Sequence, residues 1–311
     1  MRDPHAGDET RPCVTVTIAI ATTGRAEIAA RTVGHIATLR NPPDRLVLSV
    51  AATADFDESL LATLPFPAEV ILGPKGSANQ RNRVLEMHAQ SDVILFLDDD
   101  FLIADGYVDG LRHLFTMYPD VVMATGRVLA DGIHGPGLSH EAGLSVLAGA
   151  GTPGPEAELK TVPSTYGCNM AVRAATLAAH PERFDEKLPL YAWLEDMDLS
   201  RRLACYGRIV EDEKLLGVHL GTKTGRSPGL LLGYSQIANP IYMIRKGTGQ
   251  PAPLLKLMGG NILANLVKSL RPEPWIDRRG RLQGNLTALW DLLCGRLAPD
   301  RILQLRKERT G

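Results

Sequence analysis

The chain has 311 residues, 44% hydrophobic and 22% charged, with a formal net charge of −1. This is the make-up of a soluble globular protein big enough for one large domain or about one and a half. It excludes a fibrous or wholly disordered chain, and the near-neutral charge gives no reason to expect nucleic acid as a partner.

Residues 1–12 are polar, without an apolar segment, and read as a disordered tail. A strand is predicted over 14–21, a turn at Thr22-Thr23-Gly24-Arg25 and a helix over 26–39, ended by Asn41-Pro42-Pro43. Strands follow over 45–51 and 68–72, then a Gly-Pro-Lys-Gly loop, a helix over 78–89 and a strand over 93–97. A helix over 106–117 and a strand over 121–128 continue the alternation. Such a pattern predicts a mainly parallel sheet with helices on both faces and all strand tips on one edge. The Gly- and Pro-rich stretch 130–165 reads as a functional loop, with some strand near 143–148. A strand over 167–172, a helix over 174–179 and a helix over 196–206, stopped by Gly207, come next. Beyond Gly225 the pattern is helical, with breaks at Pro272, Pro274 and Gly280. The resulting parse is a tail (1–12), an α/β domain (13–225) and a C-terminal helical extension (226–311).

The charge is uneven. Residues 1–200 carry 15 Lys and Arg against 27 Asp and Glu, and residues 201–311 carry 19 against 8. A basic C-terminal part suits anionic phosphates or an anionic membrane surface, or is a plain solvated face. Cys13, Cys168, Cys205 and Cys294 form no C-x-x-C pair, which argues against zinc and redox motifs and for a cytoplasmic setting. The apolar stretch 253–270 is interrupted by Gly259-Gly260, Asn261 and Asn265, and no segment has the length of a membrane span.

Three aspartates, Asp98, Asp99 and Asp100, end the apolar run 93–97, at the sheet edge where open α/β folds bind ligands. Side chains alternate along a strand, so Asp98 and Asp100 share a side and offer oxygens to a hard divalent cation, which would hold a phosphate-bearing substrate. The plainer alternative is an acidic turn capping a helix. Four further segments stand out. The 73–83 loop and helix start carries Lys75, Asn79, Arg81 and Arg83, suited to phosphate. Glu195, Asp196 and Asp198 crowd the first turn of a helix, either as caps or as a base at the mouth of a cleft. Gly167-Cys168-Asn169-Met170 lies opposite the aspartates, and His219 ends a strand.

In this order the segments resemble the family 2 glycosyltransferases, inverting enzymes of the GT-A fold found in bacterial polysaccharide and glycoconjugate synthesis. The resemblance rests on Ile20-Ala21-Thr22-Thr23-Gly24-Arg25, Asn79-Gln80-Arg81-Asn82, the aspartates after Phe96-Leu97, residues 167–173, Phe184-Asp185-Glu186, Glu195-Asp196-x-Asp198-Leu199 and His219, and runs from about Val14 to Gly249. It implies a nucleotide-sugar donor, a UDP-sugar favoured, and a glycan or lipid-linked acceptor. Asp98 and Asp100 with His219 would bind Mn2+ or Mg2+. Asp196, beside Glu195, would be the general base, and Thr22, Arg25, Thr53, Lys75, Asn79, Arg81, Asp98, Asp99 and Asn169 would line the donor site. The acidic pair that usually follows the second strand is missing at Ala51 and Ala52, which leaves base reading to backbone groups, Thr53 or Asp55. A nucleotidyltransferase would have a richer glycine loop after the first strand than Thr22-Thr23-Gly24-Arg25, and a non-catalytic binder would not need Glu195 and Asp196. The basic part from about Arg226 on, with Trp275, Trp290 and the Leu-rich tail from Leu282 to Arg309, suggests a helical appendage that approaches the inner face of a membrane or a lipid diphosphate acceptor. Alternatively, Leu286, Leu289, Leu293 and Leu297 pack the tail on the catalytic domain or on a second subunit of a homodimer.

Overall fold

A computed structural model describes residues 14–87, 90–151, 154, 158–225 and 227–310. The expected tail, Cys13 and the predicted helix end at Ala89 lie outside the described residues.

Among the described residues, nine strands form one sheet: β1 (Val16–Thr22), β2 (Arg45–Val50), β3 (Ala68–Leu72), β4 (Val93–Asp98), β5 (Phe101–Ile103), β6 (Val121–Asp131), β7 (Leu159–Thr161), β8 (Asn169–Arg173) and β9 (Arg208–His219). Their order is β3-β2-β1-β4-β8-β6-β9-β5, with β7 paired to β9. The helices are α1 (Ala26–Ala37), α2 (Ser77–Met87), α3 (Tyr107–Met117), α4 (His140–Gly149), α5 (Ala174–Ala179), α6 (Glu195–Leu203), α7 (Gly229–Lys246), α8 (Pro251–Lys268), α9 (Arg278–Leu293) and α10 (Arg301–Thr310).

The central strands are apolar on both faces because both are covered. Ile18, Ile20, Leu46, Leu48, Leu95 and Leu97 pack with α1 and α3 on one side. Their neighbours Ala19, Val47, Ile94 and Phe96 pack with α2, α5 and α6 on the other. β1, β2, β3 and β4 are parallel, and β6 and β9 run parallel to each other. The strands of the predicted alternation, β1 to β4 and β6, all point the same way and end at one edge, while β8 lies antiparallel between β4 and β6. Its start, not its end, reaches the ligand edge. β6 and β9 slip register at Gly126. A Cβ there would meet the Leu215 carbonyl oxygen at 2.3 Å, so only glycine lets the two backbones approach so closely.

Two expectations fail. Residues 143–148 are helical, within α4, where the Ser139 side chain accepts from the Ala142 N–H as N-cap and Val146 and Leu147 pack on Leu102, Val218 and Leu220. Gly280 does not break the C-terminal helices. It sits in the first turn of α9, its N–H donating to the capping Asp277.

Helices α7 to α10 build their own core from Leu231, Tyr234, Ile237, Ala238, Met258, Ala288, Ile302 and Leu305. They are tied to the sheet part at α6. Asp198, fully buried, accepts hydrogen bonds from Arg202, from Lys246 at the end of α7 and from Thr248.

Candidate active site

The ligand edge is built by the turn after β4. Asp98 closes the strand, Asp99 and Asp100 form the turn, and β5 starts at once. Pairing of β5 with β9 sets Phe101 opposite His219, so the histidine arrives beside Asp100 from a distant stretch of chain. The reversed β8 brings Cys168 alongside, its carbonyl accepting from the Asp98 N–H at 3.1 Å. One ligand atom each from Asp98, Asp100 and His219 lies within 4.8 Å of the others. Two carboxylates and an imidazole suit Mn2+ or Mg2+ rather than a soft metal.

His219 is held from both sides. Its Nδ1 is 2.9 Å from Asp131 Oδ1 and its Nε2 is 3.4 Å from Asp100 Oδ1. The Tyr166 hydroxyl donates to the second Asp131 oxygen at 2.7 Å. Burial disfavours the imidazolium, but Asp100 and Asp131 outweigh it and push the His219 pKa up to about 10. Burial likewise works against the ionised Asp100, yet His219, Arg25 and the Thr222 N–H hold it well below the usual range. Asp131 falls to about 2 for the same kind of reason, with His219, the Ile133 N–H and Tyr166 prevailing over burial.

Asp99 turns away from this cluster. It accepts from the Thr22 hydroxyl at 2.6 Å and pairs with Arg25 at 3.0 Å. Burial pushes its carboxyl up to about 7, against the pull of Arg25. Arg25 also holds Asp100 at 2.7 Å, so it neutralises the aspartates directly. Beside them, Gln80 donates to the carbonyls of Thr22 and Ser49 and so ties the tips of β1 and β2 to α2. Asp55 is buried and accepts from the N–H groups of Gly24, Ala51 and Ala52. The acid absent at Ala51 and Ala52 is thus present a few residues later, engaged in closing its own loop.

Across the cleft, Arg81 is buried and bonded to Glu195, to Asp98 at 3.1 Å and to the Gly167 carbonyl at 2.9 Å. It bridges Asp98, of the candidate metal cluster, and Glu195. Burial pushes the Glu195 carboxyl up to about 8, with Arg81 pulling the other way. Asp196 is half-buried, and its two oxygens each accept a backbone N–H at 2.8 Å, from Gly167 and from Met197. Burial raises its pKa against those bonds and Arg81. The segment that delivers these acids is strained: Leu190, Ala192 and Leu194 have φ of 61°, 51° and 76°, left-handed values that side chains disfavour. The Leu190 carbonyl accepts from Ser77 N–H at 2.8 Å, and the Trp193 carbonyl accepts from Asn239 of α7 at 2.7 Å.

The remaining predicted residues lie further out or deeper in. Thr53 and Lys75 are exposed on loops, and the Asn79 amide donates to the Lys75 carbonyl. Asn169 is fully buried, its side-chain oxygen accepting from Thr125 and from the Gly126 N–H. It braces β6 against β8 instead of facing a donor, which corrects its expected place in the donor site. Sequence reasoning missed Asp131, Tyr166, Gln80 and Thr222. Only Gln80 had a local signal, next to Arg81.

No protein-family profile matches the chain, and no curated protein matches it in sequence. Solved structures do resemble it. S. aureus TarS 1–349 superposes with a TM-score of 0.54 at 13% identity, over 93% of this chain and 82% of that one. The mannosyltransferase PcManGT from Pyrobaculum calidifontis, in complex with GDP-Man and Mn2+, gives 0.52 at 14% identity over 97% and 81%. GalNAc-T7 with UDP, GalNAc and Mn2+ gives 0.51 at 14% identity over 92% and 59%. These neighbours are GT-A glycosyltransferases, and the chain shares their fold.

Proposed function

We propose that the chain is an inverting glycosyltransferase that moves a sugar from a nucleotide-diphosphate sugar to a hydroxyl of a glycan or lipid-linked acceptor on the cytoplasmic side of a membrane. The observation that carries this reading is the Asp98–Asp100–His219 cluster facing Glu195 and Asp196 across Arg81. Structures of the neighbours with GDP-Man, with UDP-GlcNAc and with Mn2+ support it.

Asp98, Asp100 and His219 would hold Mn2+ or Mg2+, and Asp131 fixes the ring so that Nε2 faces the carboxylates. When bound, such a cation offsets charge developing on the leaving diphosphate. Asp196 is the general base: it is half-buried, at the N-terminus of α6, and held in one orientation by two N–H groups. In a single displacement the acceptor oxygen bonds to the anomeric carbon as the carbon–phosphate-oxygen bond breaks. The hydroxyl proton passes to Asp196 and the bonding pair leaves with the diphosphate, which inverts the carbon. Arg81 keeps Glu195 and Asp98 in register through this step.

A panel of UDP-, GDP- and TDP-sugars, assayed for donor hydrolysis with Mn2+ and with EDTA, tests the reading. Turnover of at least one donor is expected with metal, with loss in EDTA and in Asp100→Ala. Turnover indifferent to both would overturn the metal site, and inertness toward every donor would remove the glycosyltransferase reading.

A further inference from the structure

The C-terminal helices show one surface that the catalytic reading does not use. Helix α8 buries Leu254, Met258 and Asn265 against its neighbours. Its opposite face exposes Leu255, Leu263, Leu266 and Val267, each more than half exposed, with Leu270 just past its end at 80%. At 100° per residue the first four fall within an arc of about 120° on the outside of the protein, an apolar stripe with the exposed Lys256 inside it. Such a stripe is costly in water unless something covers it.

The charge around the stripe says what covers it. From Pro251 to Pro272, α8 and the residues just past it carry Lys256, Lys268 and Arg271 and no Asp or Glu. Lys256 and Arg271 stand exposed at either end of α8, Lys268 lies near its C-terminus paired with Glu273, and Trp275 follows, partly exposed. Stacking a second copy about a two-fold axis would set basic helix against basic helix, with no acid on α8 to answer it. An anionic lipid surface answers both features: acyl chains for the leucines, headgroups for the cations. No helix among the described residues is long and apolar enough to cross a membrane. An α8 that lies in the interface plane fits that length and charge.

We propose that the exposed face of α8 docks the protein on an anionic lipid bilayer, with Leu255, Leu263, Leu266 and Val267 in the acyl boundary and Lys256 and Arg271 at the headgroups. Within the basic part beyond about Arg226, this assigns the role to α8 and not to the Leu282–Arg309 tail. In the tail, Leu289 and Leu297 pack inward on the helical core, while Leu286, Trp290 and Leu293 stay exposed.

Co-sedimentation of the full chain with vesicles of phosphatidylglycerol and phosphatidylcholine, and of phosphatidylcholine alone, tests this without reading turnover, so its failure is separate from failure of the transfer reading. Binding to the anionic vesicles is expected, falling with salt. Leu263→Glu with Leu266→Glu, both at exposed positions, should cut it at least tenfold with the circular dichroism spectrum unchanged. Lys256→Gln with Arg271→Gln should cut it on the order of twentyfold at low salt, since each basic residue contributes roughly fivefold. Absence of binding to anionic vesicles at low salt overturns the proposal. So does a dimer in light scattering that the leucine variant dissociates while vesicle binding stays unchanged.

Discussion

Replacing Asp196 by asparagine tests its proposed role as general base apart from the rest of the site. The carboxylate has two oxygens, and each accepts a backbone N–H at 2.8 Å, one from Gly167 and one from Met197. Asparagine has a single acceptor, so its amide NH2 must face one of those donors. An orphaned buried N–H costs about 1–3 kcal/mol, and because Asp196 is only half-buried and water can reach it, a loss of stability near 1 kcal/mol is expected. The catalytic loss is larger. General-base removal costs about 10²–10⁴ in rate, or roughly 3–5 kcal/mol on the barrier. Transfer followed with saturating donor and Mn2+, beside donor affinity by calorimetry, distinguishes the two effects: kcat should fall at least a hundredfold with donor Kd nearly unchanged. The pH profile adds a second reading. Burial raises the Asp196 pKa above its ordinary 3.8, so the rate should rise with pH through a midpoint above that value, and the limb should vanish in Asp196→Asn. A variant that keeps more than a tenth of wild-type transfer refutes the role. Collapse in Glu195→Gln alone would move the base to Glu195.

Two further expectations concern the frame. Asp198→Ala should lower the unfolding free energy by about 3–5 kcal/mol in urea, because it strips a fully buried carboxylate from Arg202, Lys246 and Thr248; Lys246→Met should cost less, since Asp198 keeps Arg202, and equal losses would contradict the network. Gly126→Ala should cost about 1–3 kcal/mol by overpacking, as its Cβ would sit 2.3 Å from the Leu215 carbonyl oxygen, and an unchanged melting temperature would show that β9 yields there.

The sequence revealed what local pattern can reveal. The strand that ends in the aspartates, the third strand at 68–72 and the helix at 174–179 matched because apolar runs and punctuation fix them. The Asp98 and Asp100 pair was legible because it ends an apolar run, whereas His219 joined it only through the family resemblance. The direction of β8 was not legible, since a five-residue buried strand reads the same either way. Residues 143–148 misled because a short apolar run does not distinguish helix from strand. Asp131 escaped notice because its partner lies far along the chain and only the β5–β9 and β6–β9 pairings bring them together. Asn169 was placed in the donor site by its neighbours in sequence, whereas burial gives it to the sheet.

The three left-handed residues before α6 have a mechanical consequence. Each such residue costs on the order of 1–3 kcal/mol and persists only where its surroundings hold it. Two hands hold this segment: Ser77, at the start of α2, grips Leu190, and Asn239, on α7, grips Trp193. Glu195 and Asp196 therefore follow a segment strained in its backbone and anchored at both ends. Loosening either anchor lets the segment relax toward ordinary backbone angles and swings Glu195 and Asp196 out of line. The loop before α2 and the C-terminal helices thereby share control of where Glu195 and Asp196 point.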